Sequence, residues 1–151
     1  MQWKPNVTVA AVVENNGKFL LVEEYTDDEL VYNQPAGHLE ENETLIEAVK
    51  REVKEETARD FEPDSLIGVY MYPNRDHSIT YLRFCFHGHC TGHDPEQALD
   101  DGIIRAVWLS REELESQEEK LRSGMVIQCI DDYLSGKSFP LDLLHHQLIR
   151  N

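Results

Sequence analysis

Residues 37–57 read GHLEENETLIEAVKREVKEET, and the fold and the site are interpreted outward from this stretch. Thr44 and Glu47 have the spacing of a capping box, in which each side chain bonds to the backbone N–H of the other residue. Apolar side chains then recur at helical spacing, at Leu45, Ile46, Val49 and Val53. The pattern predicts a helix over residues 44–57.

The last two turns of this predicted helix are acidic. Glu52, Glu55 and Glu56 stand at i, i+3 and i+4, so their carboxylates leave the helix on one side, beside the apolar stripe. Mutual repulsion, partial burial and the negative end of the helix dipole each raise the pKa of a carboxyl group at such a position. A hard cation such as Mg²⁺ or Mn²⁺ relieves all three effects, and we expect a metal site here. A solvated acidic helix face is the alternative.

Length and charge limit the classes of function. A chain of 151 residues can bury one core, so we expect a single domain over residues 1–151. Acidic residues outnumber basic residues by 29 to 14, and the net charge of -15 disfavours duplex nucleic acids and anionic membranes as partners. The sequence starts without the features of a secretory signal and has no window of about 20 apolar residues, so a cytoplasmic location is expected.

The cysteines and histidines offer a weaker alternative. Cys85, Cys90 and Cys129 form no CxxC pair, and their odd number favours reduced thiols that serve as small apolar side chains. His87, His89, Cys90 and His93 suggest a zinc site, but their spacing matches no closed four-ligand pattern. We therefore disfavour zinc.

Strands and helices are interleaved along the chain. The apolar residues 7–13 and 19–22 flank a turn at Asn15-Asn16-Gly17, which predicts a hairpin covered on both faces. Further elements are expected as strands over residues 66–72, 79–89 and 105–109, and as helices from Ser110 and over 124–134. Residues 33–37 are predicted as a loop, and the tail from Phe139 to Asn151 as peripheral. This order favours an α/β (α+β) fold with a mixed β-sheet between helices.

The acidic stretch also resembles the Nudix box, the signature of a family of diphosphate hydrolases. Gly37, Glu43 and the sequence from Arg51 to Glu56 match the box at its spacing. Ala58 and Arg59 depart from it, since they stand where the family has glycine and an apolar residue. Either the helix ends differently here or a strained backbone at Ala58 is tolerated, with Phe61 supplying the apolar contact.

Residues 3–10, 33–40 and 133–136 resemble a bacterial phosphatase branch of the Nudix family. Its members hydrolyse nucleoside tri- and diphosphates and the pyrophosphate of a thiamine pyrimidine precursor. The resemblance implies a Nudix α/β/α sandwich and a Mg²⁺-dependent hydrolase of small-molecule diphosphates. The alternatives are a hydrolase of dinucleoside polyphosphates or nucleotide sugars and a non-catalytic nucleotide-binding module. Whether the protein is a monomer or a homodimer stays open.

The resemblance also implies roles for residues of the box. Glu52, Glu55 and Glu56 are the expected catalytic residues and metal ligands, and the carbonyl of Gly37 is a further ligand. Glu43 and Arg51 are expected to form an ion pair that orients these glutamates.

Residues outside the box complete the expected site. The general base is expected to be Glu52, with Asp100 or Asp101 as the alternative. Arg75 and Arg83 are candidates for contact with phosphate charge. Aromatic side chains are candidates for stacking on a substrate ring, namely Tyr25, Tyr32 and Tyr72.

Overall fold

A computed structural model describes residues 1–148, which form two four-stranded β-sheets and three α-helices. The strands are β1 (Asn6–Val12), β2 (Glu14–Asn15), β3 (Lys18–Thr26), β4 (Glu29–Asn33), β5 (Ala36–His38), β6 (Arg59–Pro73), β7 (Thr80–His93) and β8 (Ile103–Ser110). The first sheet has the order β5-β1-β7-β6 and is mixed, because β1 and β7 are parallel while the other neighbours are antiparallel. The second sheet is antiparallel, with β3 between β4 and β8 and with β2 paired to β3.

The helices are α1 (Leu45–Thr57), α2 (Arg111–Ser116) and α3 (Met125–Leu134), with short 3-10 turns at Glu118–Lys120 and Leu141–Leu143. Capping boxes begin α1 at Thr44 and α2 at Ser110, and the box predicted at Thr44 is confirmed. Within residues 1–148, none of the helices has the length and apolar content needed to cross a membrane.

Strand β1 separates two cores. Val9 and Ala11 belong to the core beneath α1, whereas Ala10 and Val12 belong to the core beneath α3. Alternate residues of a strand point to opposite faces, so a continuously apolar strand needs a packed layer on each side. The predicted mixed sheet between helices is therefore confirmed, while the second, antiparallel sheet was not anticipated.

Three strands include polar segments that the sequence pattern did not predict as strand. The predicted loop at residues 33–37 is wrong in part, because β5 pairs with β1 and places Gly37 opposite Val9. Strand β3 continues through the polar residues 23–26, where it pairs with β4, and β6 begins at Arg59 rather than Leu66. Strands β5 and β6 are the edges of the mixed sheet, where polar or turn-forming residues are tolerated and hide the alternating pattern, whereas the end of β3 is held by pairing with β4 that is not visible in the local sequence.

The C-terminal tail is docked and not merely peripheral. Phe139 and Leu66 exchange two backbone hydrogen bonds of 2.9 and 2.8 Å. Leu141 and Leu144 pack against the core beneath α1. The part of the tail prediction that concerns residues 149–151 lies outside the described residues.

Candidate active site

The acidic end of α1 packs against β5. Glu52 and Glu56 are each 7% exposed, whereas the side chain of Glu55 is 40% exposed. Gly37 makes this close approach feasible, since a Cβ atom there would collide with the carboxylate of Glu52. The partial burial expected from the helical spacing is therefore present, and a glycine on β5 permits it.

Both buried carboxyl groups have a raised pKa. Burial raises the pKa of Glu56 to about 9, and repulsion from Glu52, Glu24 and Asp100 adds to the rise. A hydrogen bond of 2.9 Å from the backbone N–H of Ala36 stabilises the carboxylate and opposes it. Burial likewise raises the pKa of Glu52 to about 7, although contact with Arg51 opposes the rise. Burial, not repulsion, is thus the largest cause at both positions.

Arg51 connects the acidic helix to the turn before it. Its Nε and Nη2 groups donate to the two carboxylate oxygens of Glu43 at 3.0 and 2.8 Å, and Nη2 also donates to the carbonyl of His38 at 2.9 Å. Its Nη1 group donates to Glu52 at 2.8 Å and to Glu55 at 3.2 Å. The bond from Arg51 holds the pKa of Glu43 below its usual range. The predicted pairing of Glu43 with Arg51 is therefore present.

The donor set fits a hard divalent cation. Glu52, Glu55 and Glu56 supply carboxylate oxygens, and Gly37 supplies a backbone carbonyl next to Glu52, which are the ligands that Mg²⁺ and Mn²⁺ prefer. Among residues 1–148, no three His, Cys, Asp or Glu side chains already converge on one point suitable for an ion, and the Arg51 guanidinium meets two of the glutamates instead. Arg51 contacts only one oxygen of each carboxylate, Oε1 of Glu52 and Oε2 of Glu55, so the other oxygen of each is available to an ion while Arg51 holds the side chain.

A loop after β7 closes the C-terminal end of α1. The side chain of Gln97 donates to the carbonyl of Lys54 at 2.7 Å, and the backbone N–H of Asp100 donates to the carbonyl of Glu55 at 2.9 Å. The bond to Glu55 satisfies a carbonyl that the helix end leaves unpaired, and the bond to Lys54 adds to the one its carbonyl accepts from the backbone N–H of Ala58. They also bring Asp100 close enough to raise the pKa of Glu52 and Glu56, while Asp101 lies exposed in the following turn.

The departure from the box at the helix end is accommodated by strain. Ala58 caps α1 in the left-handed region, with φ 59 and ψ 26. Its carbonyl accepts a hydrogen bond of 2.9 Å from the backbone N–H of Asp94. Phe61 is buried beneath α1, and the guanidinium of Arg59 lies 5.7 Å from the centre of the Trp108 ring. The helix therefore does not end differently from the family pattern; instead, Ala58 adopts the strained left-handed conformation that glycine usually adopts.

A cleft of about 1010 Å³ borders β5 and extends over the α3 side of the mixed sheet. Arg75, Arg83 and Tyr72 line this cleft, together with Glu24. Tyr25 and Tyr32 do not line it, because Tyr25 is 56% exposed on β3 and Tyr32 packs against the core beneath α3. The structure therefore brings together three of the five proposed substrate contacts.

Arg83 is an unusual part of the cleft wall. It is 2% exposed, forms no ion pair with a carboxylate in residues 1–148, and donates only a long hydrogen bond of 3.4 Å to the hydroxyl of Tyr72. Its Nε atom and the Oγ1 atom of neighbouring Thr8 are buried without a hydrogen-bond partner in that part of the chain. Buried polar groups normally have partners, so this pair is suited to a ligand.

Several site residues were missed by sequence reasoning. Glu24 and Ala36 lie in segments that were not predicted as strands. Thr8 could have been noticed as a polar residue within an apolar strand. His38 and Tyr81 line the cleft through strand pairing, which no local pattern reveals.

The chain was compared with known protein families and structures. The family model described as the NUDIX domain matches residues 4–128. Phosphatase NudJ of Escherichia coli (strain K12) is 42% identical over 142 residues, which cover 94% of this chain and 92% of the relative. A NUDIX hydrolase from Nitrosomonas europaea is 48% identical, with a TM-score of 0.93 over 95% of this chain and 98% of that one.

A more distant structure shares the fold alone. The MutT NUDIX hydrolase from Burkholderia pseudomallei is 17% identical, with a TM-score of 0.72 over 86% of this chain and 98% of that one. The family match and the two relatives above 40% identity carry more than the fold. The chain therefore belongs to the NUDIX domain family, and it is an enzyme of the Nudix pyrophosphohydrolase type.

Proposed function

We propose that this enzyme is a Mg²⁺-dependent hydrolase of nucleoside di- and triphosphates, with the pyrophosphate of a thiamine pyrimidine precursor as a further substrate. One observation carries the proposal. The buried carboxyl groups of Glu52 and Glu56 meet the edge of a cleft whose opposite part holds Arg83, a side chain that forms no ion pair with a carboxylate of residues 1–148. A metal ion held by these carboxylates would supply the positive charge that a diphosphate needs. The cleft would then bind the remainder of the substrate.

The metal assignment rests on the donor chemistry at the end of α1. Glu52, Glu55 and Glu56 hold the ion with the Gly37 carbonyl, and Mn²⁺ is an alternative to Mg²⁺. When bound, such an ion neutralises diphosphate charge and lowers the pKa of a water molecule. Arg51 positions Glu52 and Glu55 through its hydrogen bonds, while Glu43 holds Arg51 in place.

Glu52 is our choice for the general base. Its carboxylate lies against Gly37, which lines the cleft, so Glu52 stands at the border of the cleft beside the other carboxylates of the helix end. Asp100 is the alternative, because it approaches the same carboxylates from the loop after β7. Asp101, which is exposed in the next turn, is a weaker alternative.

The lining of the cleft supports three of the proposed substrate contacts. Arg75, Arg83 and Tyr72 keep their proposed contact with substrate because they line the cleft. Tyr25 and Tyr32 receive no such role, since neither lines it. The similarity to Phosphatase NudJ supports phosphatase chemistry at this site.

The test measures phosphate and pyrophosphate release from a panel of compounds with Mg²⁺ or with a chelator. The panel contains nucleoside di- and triphosphates, dinucleoside polyphosphates and nucleotide sugars. It also contains hydroxymethylpyrimidine pyrophosphate, the thiamine pyrimidine precursor named above. We expect Glu56→Gln to abolish Mg²⁺-dependent turnover. Glu112→Gln makes the same chemical change at an exposed position of α2 and serves as the matched control, which should keep full activity.

The outcomes separate the alternatives. Preferential cleavage of dinucleoside polyphosphates or nucleotide sugars would replace the proposed substrate class. Equal turnover with chelator and with Mg²⁺ would remove the metal from the proposal. Nucleotide binding without turnover of any compound would overturn hydrolysis of these substrates and favour a binding module.

A further inference from the structure

We infer that Arg83 and Thr8 form a specificity pocket that selects substrates whose ring carries an oxo group, such as a 6-oxopurine or a 4-oxopyrimidine, over their amino counterparts. The inference rests on the proposed function for its general substrate class, nucleotides. It adds which nucleotides are preferred and which residues select them, and it makes the aminopyrimidine of the thiamine precursor a poorer substrate than the oxo nucleotides.

The pocket lies on the face of the mixed sheet that is opposite to the acidic helix. Thr8 and Arg83 are register partners on the parallel strands β1 and β7. Two residues further along these strands, Ala10 and Cys85 enter the core beneath α3. Because residues i and i+2 of a strand share a face, Thr8 and Arg83 also face the α3 side. Gly37, by contrast, faces the carboxylate of Glu52.

This separation assigns different parts of the substrate to the two groups. The diphosphate must lie at the carboxylates of α1, where the cation is held. A ligand that also reaches Arg83 must extend around the edge strand β5 onto the other face. Arg83 therefore meets the part of the substrate that is remote from the cleaved linkage.

Aromatic rings surround that remote part of the cleft. The ring centres of Tyr72 and Tyr81 are 5.4 Å apart, and His38 lies 6.3 Å from Tyr81. All three residues line the cleft beside Arg83. Such rings offer stacking surfaces for a flat heterocycle, which a phosphate group does not use.

Charge in the cleft also favours a neutral group at Arg83. Of the residues that the structure describes, six acidic ones line the cleft, namely Glu24, Asp27, Glu29, Asp76, Glu118 and Glu119. The basic lining consists of Arg75, Arg83 and Arg122, and Arg122 already donates to Glu24 at 3.2 Å. A second phosphate group would meet net repulsion there, whereas a ring oxo group would not.

The chemistry of the guanidinium sets the direction of the preference. Arginine carries N–H donors and no acceptor, so it pairs with an oxo group or a ring nitrogen but not with an amino group. Within residues 1–148, the Nε–H of Arg83 and the hydroxyl of Thr8 are buried without a hydrogen-bond partner, so a ligand acceptor that shifts the cleft wall enough to reach them satisfies groups that otherwise remain unpaired. Replacement of the oxo group by an amino group places two donors against each other.

Binding of product nucleotides tests the inference without relying on catalysis. Calorimetry with saturating Mg²⁺ compares IMP with AMP and UMP with CMP, since each pair differs at the oxo or amino position of the ring. We expect each oxo compound to bind about 10-fold more tightly, a ratio typical of a side-chain contact to a base edge. For hydrolysis, the same preference should appear mainly in KM when ITP is compared with ATP.

Variants identify the residues responsible. Arg83→Gln and Arg83→Lys should both reduce the oxo preference to about onefold, because lysine keeps the charge but loses the fork geometry. Thr8→Val should reduce it less. Arg105→Gln removes one positive charge on β8 outside the cleft and should keep the preference.

Each result decides between two roles of Arg83. Equal binding of oxo and amino compounds by the unaltered enzyme overturns the inference, and this comparison needs no variant to fold. A loss of affinity that is equal for all four nucleotides in Arg83→Gln would assign Arg83 to a phosphate group and also overturn it. Selective binding without any turnover would sink the proposed hydrolysis and leave the specificity pocket standing.

Discussion

The acidic end of α1 and the pocket around Arg83 contrast in how their residues are brought together. Glu52, Glu55 and Glu56 lie within two helical turns, so one local element places all of them. Thr8 and Arg83 come from β1 and β7 and become neighbours only when these strands pair in parallel. The helix alone sets the spacing of the three carboxylates, whereas their burial still depends on β5. A pocket built across strands depends on the register of the whole sheet.

The largest effect on catalysis is expected at Glu52, the proposed general base on the acidic helix. Glu52→Gln should reduce kcat by about 10²- to 10⁴-fold, the range typical of a lost general acid or base. The acidic limb of the pH profile of kcat/KM, measured with saturating Mg²⁺, should change shape as well, because a general base is inactive when it is protonated. Asp100→Asn is the matched control from the loop after β7. A greater loss in Asp100→Asn than in Glu52→Gln would transfer the role of base to Asp100.

An intermediate effect is expected at Arg51, which ties the helix to the preceding turn. Arg51→Lys keeps the charge but cannot reach Glu43, Glu52 and the His38 carbonyl together. The concentration of Mg²⁺ at half-maximal activity should rise about 10- to 100-fold, as is usual when a partner of metal ligands is lost.

Arg111→Lys supplies the control for this change. Arg111 contacts both carboxylate oxygens of Asp131 at 2.7 and 3.2 Å, away from the cleft. Its replacement should leave the Mg²⁺ requirement as it is. If both variants shift the requirement equally, the contacts of Arg51 do not position the site.

A smaller effect concerns stability in metal-free protein. The pKa of Glu56 is raised by burial to about 9 in the folded state, so folding favours its protonated form. The contribution of Glu56 to the free energy of unfolding is greatest below its unfolded pKa of about 4.5. It decreases as the pH rises toward 9, by up to about 1.4 kcal/mol per pH unit. Urea unfolding with chelator at several pH values measures the fall.

Substitution and metal should both reduce this pH dependence. Glu56→Gln should make the fall in stability smaller and end it near pH 7, because the amide does not ionise and only the pKa of Glu52, raised to about 7, still contributes. Added Mg²⁺ should restore stability at the high-pH end. A profile that rises with pH in the unaltered protein would contradict the burial of an uncompensated carboxylate.

The smallest effect is expected where the acidic helix meets the next strand. Ala58→Gly relieves the left-handed backbone at φ 59 and should stabilise the fold by about 0.5 kcal/mol, since the freedom of glycine in the unfolded chain offsets part of the gain. Ala48→Gly, in the interior of α1, should instead destabilise by about 1 kcal/mol or more. Chemical unfolding of both variants checks the sign. Destabilisation by Ala58→Gly would show that contacts of the Ala58 methyl group outweigh its strain.

The sequence by itself determined the acidic helix and its neighbourhood. The capping box at Thr44 and the helical spacing of Leu45, Val49 and Val53 were sufficient for α1, because both depend on residues a few positions apart. The continuous apolar pattern of β1 likewise required a layer on each face, which the cores beneath α1 and α3 provide.

Only the tertiary structure decided how the helix is completed and what lies across the sheet. The raised pKa of Glu56 depends on burial against β5 and on Glu24 and Asp100, which are distant in sequence. Arg83 was a candidate from its charge alone, but its burial and its pairing with Thr8 follow from the parallel contact of β1 with β7. Local patterns are set by the chain's own dihedral periodicity, whereas burial and strand register arise from long-range packing that no short window contains.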